Sequence, residues 1–135
     1  MKSITIPAEA KNLDAVVAFV FDELRPFNCS QKILLQVRLA IEEIFINIVS
    51  YAYHPETGLA DIRCEVLQEP LRVVIQFLDG GIPFDPLAKE DADLSPEALE
   101  EREGGLGIFL VKQTMDEVRY SHENGKNVLT IQKKL

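Results

Sequence analysis

Apolar positions along the chain change period from segment to segment, and the changes divide it into elements. SITIP, residues 3–7, alternates and stops at Pro7, which predicts a short strand. From Ala8 to Phe27 the apolar residues Leu13, Val16, Val17, Phe19, Val20 and Leu24 recur at helical spacing, and Pro26 ends that helix. Asn28 or Ser30 can cap a second helix, which runs from about Gln31 to Tyr53 and stops before Pro55 and Gly58. ADIRCEVL (60–67) and LRVVIQFLD (71–79) read as strands, with Glu69-Pro70 between them as the turn of a hairpin. LGIFLVKQTM (106–115) is apolar at a period of 3.6. EVRYSHE and NVLTIQKKL are strands joined through Asn124-Gly125-Lys126, a turn signal. The order predicts an α+β two-layer sandwich: a mixed, mostly antiparallel sheet with helices packed on one face. The length of 135 residues predicts one domain over 1–135.

The second helix breaks its own pattern. On a wheel of about 100° per residue, Ile33, Val37, Ile41, Ile44 and Ile48 cluster on one side. Gln36, Glu43, Asn47 and Ser50 form a narrow polar stripe beside them. Glu43 and Asn47 are four residues apart, so both side chains point the same way. Glu42 lies about 100° round, where it can pair with Arg38. The stripe fits a solvent-exposed edge or an Asn that bonds a neighbouring loop. It also fits a hard-cation site, with an amide oxygen as a Mg²⁺ ligand and a carboxylate one turn away as proton acceptor.

Two glycine clusters bear on that choice. In LDGGIPFDP (78–86), an Asp at a strand end precedes Gly-Gly. The arrangement serves as a tight turn, or lets backbone approach a flat ligand whose exocyclic amine the carboxylate accepts. In EREGGLGIFLVKQTMD (101–116), Gly104, Gly105 and Gly107 lead into an apolar helix, so free amides and the helix dipole make an anion site. No GxxxxGK[ST] loop occurs, and the dinucleotide fingerprint fails at Leu110. Residues 85–103 between the clusters carry eight acids and two bases. Such a run is usually a solvated loop, and between two glycine hinges it is also a candidate lid.

The net charge of -8 disfavours DNA, RNA or an anionic membrane as the main partner. A bound nucleotide needs only a few amides and one metal, so it stays open. Cys29 and Cys64 are isolated, which suits reduced thiols in a reducing compartment. MKSITIPAEA lacks an apolar run of signal-peptide length, and no window reaches the ~18 apolar residues of a membrane span. The chain reads as cytoplasmic.

Glu43-x-x-x-Asn47, Asp79-x-Gly81 and Gly105-x-Gly107 stand in one order. Together they resemble the N, G1 and G2 boxes of the GHKL ATPase superfamily. EEIFINIVSYAY, DGGIPFDP and GGLGIFLVKQTMDEV resemble the wording of its bacterial anti-sigma-factor serine kinases, the RsbW and SpoIIAB type. That resemblance implies a Bergerat-type fold, ATP and Mg²⁺ as cofactors, and 85–103 as the ATP lid. It implies Asn47 as Mg²⁺ ligand and Glu43 as the base that takes the serine proton. Asp79 would bond the adenine amino group, with Gly81 making room for the base. The turn of Gly104, Gly105, Leu106 and Gly107 would bring amides to the phosphates, and Thr130 would support the adenine site through water. Implied partners are a sigma factor, a STAS-domain anti-anti-sigma protein that is phosphorylated on serine, and a second copy in a homodimer. Pro83 departs from the box wording, standing where a second glycine often is. His54 and His122 lack the setting of a phosphorylated histidine in a sensor kinase. Three functions follow: a protein serine kinase and anti-sigma factor, a nucleotide-gated binding module without transfer, or a bare ATPase.

Overall fold

The strand segments pair into one five-stranded sheet in the computed structural model, which describes residues 1–88 and 106–135. The strands are β1 (Lys2–Pro7), β2 (Leu59–Leu67), β3 (Arg72–Asp79), β4 (Glu117–Glu123) and β5 (Lys126–Lys134), in the spatial order β1-β2-β3-β5-β4. Every pairing among them is antiparallel, so the mixed component of the expectation is absent from the described residues. The Asn124-Gly125 turn between β4 and β5 has positive φ at both residues, 53° and 76°, as a two-residue hairpin with right-handed strand twist requires.

The helices are α1 (Leu13–Leu24), α2 (Gln31–Asn47) and α3 (Leu106–Thr114). α1 stops at Leu24 and passes into a 3-10 turn, Arg25–Phe27, because Pro26 has no N–H to continue the ladder. Ser30 caps α2 by accepting the Ile33 N–H at 3.2 Å. Asn28 instead takes the left-handed position that ends the preceding turn, with φ 56°. The Arg38–Glu42 pair forms as expected, at 3.0 Å on the surface of α2. Beyond Asn47 the helix widens into a π-helical turn, Ile48–Ala52.

All three helices contribute to one core on one side of the sheet. Val16, Val20 and Leu24 of α1, Val37, Ile41, Ile44 and Phe45 of α2, and Val111 of α3 pack over Ile62, Ile75, Phe77 and Ile131. Strand register explains the alignment: Ile62 lies opposite Phe77, and Phe77 opposite Leu129, so inward positions of three strands form one apolar row. β3 is the middle strand, and its last residue, Asp79, continues the inward parity to the rim of the core. No described helix is long and apolar enough to cross a membrane.

Candidate nucleotide site

At the end of β3 the inward row turns polar. Asp79 and its register partner Asn127 on β5 are both buried, each 7% exposed. A carboxylate buried so deeply needs hydrogen-bond donors. The Gly81 N–H reaches Asp79 Oδ1 at 2.9 Å, and Asn127 Nδ2 donates to the same oxygen at 2.9 Å. Asn127 Nδ2 also donates to the Ile82 carbonyl at 2.8 Å, while Asn127 Oδ1 accepts the Phe84 N–H at 3.1 Å and the Tyr120 hydroxyl. Burial, with the nearby carboxylates of Asp85 and Asp79, holds the Tyr120 phenol above its usual range although the Phe84 backbone bond opposes this. Tyr120 is therefore a dependable O–H donor at neutral pH.

The loop after β3 is pinned from the other side by the end of α2. The π-helical turn brings the Ala52 carbonyl to the Ile82 N–H at 3.1 Å. Gly81 packs so closely on this turn that an added Cβ would lie 2.1 Å from the Ala52 oxygen. Tyr53 then bridges two segments: its hydroxyl donates to the Leu59 carbonyl at 2.6 Å and accepts the Gly80 N–H at 2.7 Å. Gly58 leaves room for the ring, since a Cβ there would sit 2.3 Å from it.

One turn and more back along α2, Glu43 reaches α3. A Cβ on Gly107 would lie 1.7 Å from Glu43 Cδ and 1.9 Å from Oε1. The carboxylate therefore rests against backbone in the first turn of α3. The helix-terminal amides and dipole there favour negative charge, whether from this carboxylate or from an incoming anion. Asn47 is half-buried, and no described residue hydrogen-bonds its side chain. From the Glu43 contact to Asn47 α2 advances about 6 Å, at ~1.5 Å per residue, and the π-helical turn carries the chain on to the Ala52 contact. Asn47 lies between them on the same helix.

Glu43, Gly107, Asn47, Gly81 and Asp79 are thus linked by direct contacts or by a short stretch of one helix. Leu106 is the first residue of α3, while Gly104 and Gly105 lie outside the described residues, as does the expected lid from residue 89 onward. Thr130 does not join them. It pairs with Gln76, whose Nε2 donates to Thr130 Oγ1 at 3.3 Å. Asp79 and Gln76 are three residues apart on one strand, so their side chains leave opposite faces, and Thr130 stands across the sheet from Asp79. The residues that sequence reasoning missed are Asn127, Tyr120 and Tyr53. Asn127 carried a readable signal, being polar at the inward parity of Leu129 and Ile131.

A profile of the histidine kinase-like ATPase domain matches residues 6–133. Over 99 residues the chain is 33% identical to the serine-protein kinase RsbW of Staphylococcus aureus, alike in strains JH9, Newman and JH1. The alignment covers 67% of this chain, which spans 60% of the length of those relatives. Among solved structures, the Acinetobacter baumannii histidine kinase AdeS has a similar fold, with a TM-score of 0.53 at 14% identity over 99% of this chain and 68% of that one. A family match across nearly the whole chain and a shared fold lead to one conclusion: the chain belongs to the histidine kinase-like ATPase domain family, of the GHKL grouping, and within it is similar to RsbW-type kinases.

Proposed function

We propose that the chain is an ATP-dependent protein serine kinase and anti-sigma factor whose acceptor is a serine of a STAS-domain antagonist. The observation that carries this reading is the Glu43 carboxylate lying on the Gly107 backbone. It sets a proton acceptor at the helix terminus where phosphate charge is best tolerated.

The residues present fit ATP and Mg²⁺. Gly81 and Gly107 are two positions where a Cβ would collide with neighbours, so each lets the second helix and its π-helical turn close on backbone at one end of the site. Both described hydrogen bonds to Asp79 use Oδ1, so Oδ2 is left to accept an exocyclic amine. Among the described residues no group of three or more His, Cys, Asp or Glu could hold a metal. A Mg²⁺ held by the Asn47 amide oxygen, phosphate oxygens and water needs no such group. When bound, ATP supplies the transferable phosphoryl group and Mg²⁺ offsets its charge.

The chain's own part is positioning and proton management. Asp79 orients the base, and the first turn of α3 directs amides at the phosphates, with Gly104, Gly105 and Leu106 assigned to the same role from the sequence. Glu43 accepts the serine proton as the oxygen attacks. Proton acceptance of this kind is worth about 10²–10⁴-fold in rate, and orientation supplies much of the remainder. Docking of the sigma factor, homodimerisation and a cytoplasmic setting belong to the same reading, which similarity to RsbW supports.

The test is incubation of the chain with γ-labelled ATP, Mg²⁺ and a cognate STAS-domain protein. Phosphoserine on the partner, reduced at least a hundredfold by Glu43→Gln while nucleotide still binds, is the expected result. Nucleotide-dependent partner binding without phosphoserine would establish a gated binding module instead.

A further inference from the structure

The Asn127 side chain has two N–H donors and two lone pairs on its oxygen, and the structure uses all four. The donors go to Asp79 Oδ1 and the Ile82 carbonyl, and the acceptor takes Phe84 N–H and the Tyr120 hydroxyl. A residue so committed has nothing left for a ligand. Its amide also has one permitted orientation. Turned over, it would set its oxygen against a carboxylate and a carbonyl, and its NH₂ against the Phe84 N–H.

We infer that Asn127, held by Tyr120, is a positioning residue that fixes Asp79 in one orientation and thereby makes the site select a 6-amino over a 6-oxo purine. The inference rests on the nucleotide reading above and adds the determinant of base preference. With Oδ1 occupied by Asn127 and Gly81, Asp79 faces the site through Oδ2, a pure acceptor. A 6-amino group donates to it, whereas a 6-oxo group opposes one acceptor with another. A carboxylate free to rotate, or to take up a water, would discriminate less. Asn127 also ties the 82–84 backbone to β5, so the loop beneath the base and the carboxylate at its edge are held by one side chain.

The experiment is calorimetric binding of Mg·ADP and Mg·IDP to the full chain, to Asn127→Ala and to Tyr120→Phe, with melting curves for each. Wild type should prefer ADP by about a hundredfold or more, as sites built to accept a hydrogen bond from a substrate N–H do. Both variants should lower that preference to about tenfold or less, chiefly by weakening ADP. Loss of packing alone would weaken both nucleotides together and leave the ratio where it was. An unchanged ratio in either folded variant overturns the inference, as does a wild type that binds ADP and IDP alike. Tyr120→Phe keeps the ring and removes only the hydroxyl, so it decides the matter if Asn127→Ala does not fold. A wild type that binds neither nucleotide overturns the nucleotide reading itself.

Discussion

Glu43 and Gly107 share one small volume: the carboxylate of the first fills the space that a side chain on the second would need. The neighbour that must yield is the far end of a flexible, half-exposed side chain. Gly107→Ala should therefore fold, with stability within about 1 kcal/mol of wild type. It should nevertheless displace the Glu43 carboxylate and crowd the α3 terminus. Phosphoryl transfer should fall at least tenfold while the melting temperature barely moves. Wild-type transfer by Gly107→Ala would separate this contact from catalysis.

Gly81→Ala meets the opposite circumstance. The nearest atoms to its Cβ would be the Ala52 carbonyl oxygen and carbon, at 2.1 and 2.6 Å. Backbone of a helical turn cannot swing aside, so the loop after β3 must lift and release its bonds to Asp79 and Ala52. A loss of about 1–3 kcal/mol follows, as for overpacking elsewhere. Urea denaturation should show a lower midpoint with an unchanged slope.

Removal of one oxygen in Tyr53→Phe takes away the donor to Leu59 and the acceptor of the Gly80 N–H. Water reaches both exposed backbone groups, so the cost should be about 1 kcal/mol rather than the sum of two buried bonds. Hydrogen exchange at Gly80 should accelerate well beyond that of the β3 interior.

Alkaline pH should act through Cys64, whose thiol is pushed up to about 12 by burial and by the carboxylates of Glu23 and Glu65. A raised native value means the native state holds the proton more tightly than the unfolded chain. That stability is complete below the unfolded value near 9 and is lost as pH rises toward 12. The loss is on the order of 1 kcal/mol per pH unit across the window. Cys64→Ala should flatten this slope. In the native protein at pH 8, a thiol reagent should modify the half-buried Cys29 well before Cys64.

Elements were legible because their signals are local. Alternation identified the first strand, strand-like runs flanking turn signals identified the other four, the 3.6 period identified the helices, and Asn124-Gly125 identified its hairpin. The polar stripe of Glu43 and Asn47 was visible too, as an interruption of an apolar period. The choice between Asn28 and Ser30 as cap was not legible, since both residue types cap helices and only the backbone path separates them.

Sequence alone determined the α+β class, the order of the elements and the residues with chemistry to offer, because propensity and periodicity act over a few neighbours. Tertiary structure decided which of those residues meet. Asn127 bonds Asp79 across 48 residues of chain, and Thr130 is turned away, because strand register sets which inward positions face one another. The Glu43–Gly107 contact likewise exists only because α3 packs on α2, which no local pattern encodes.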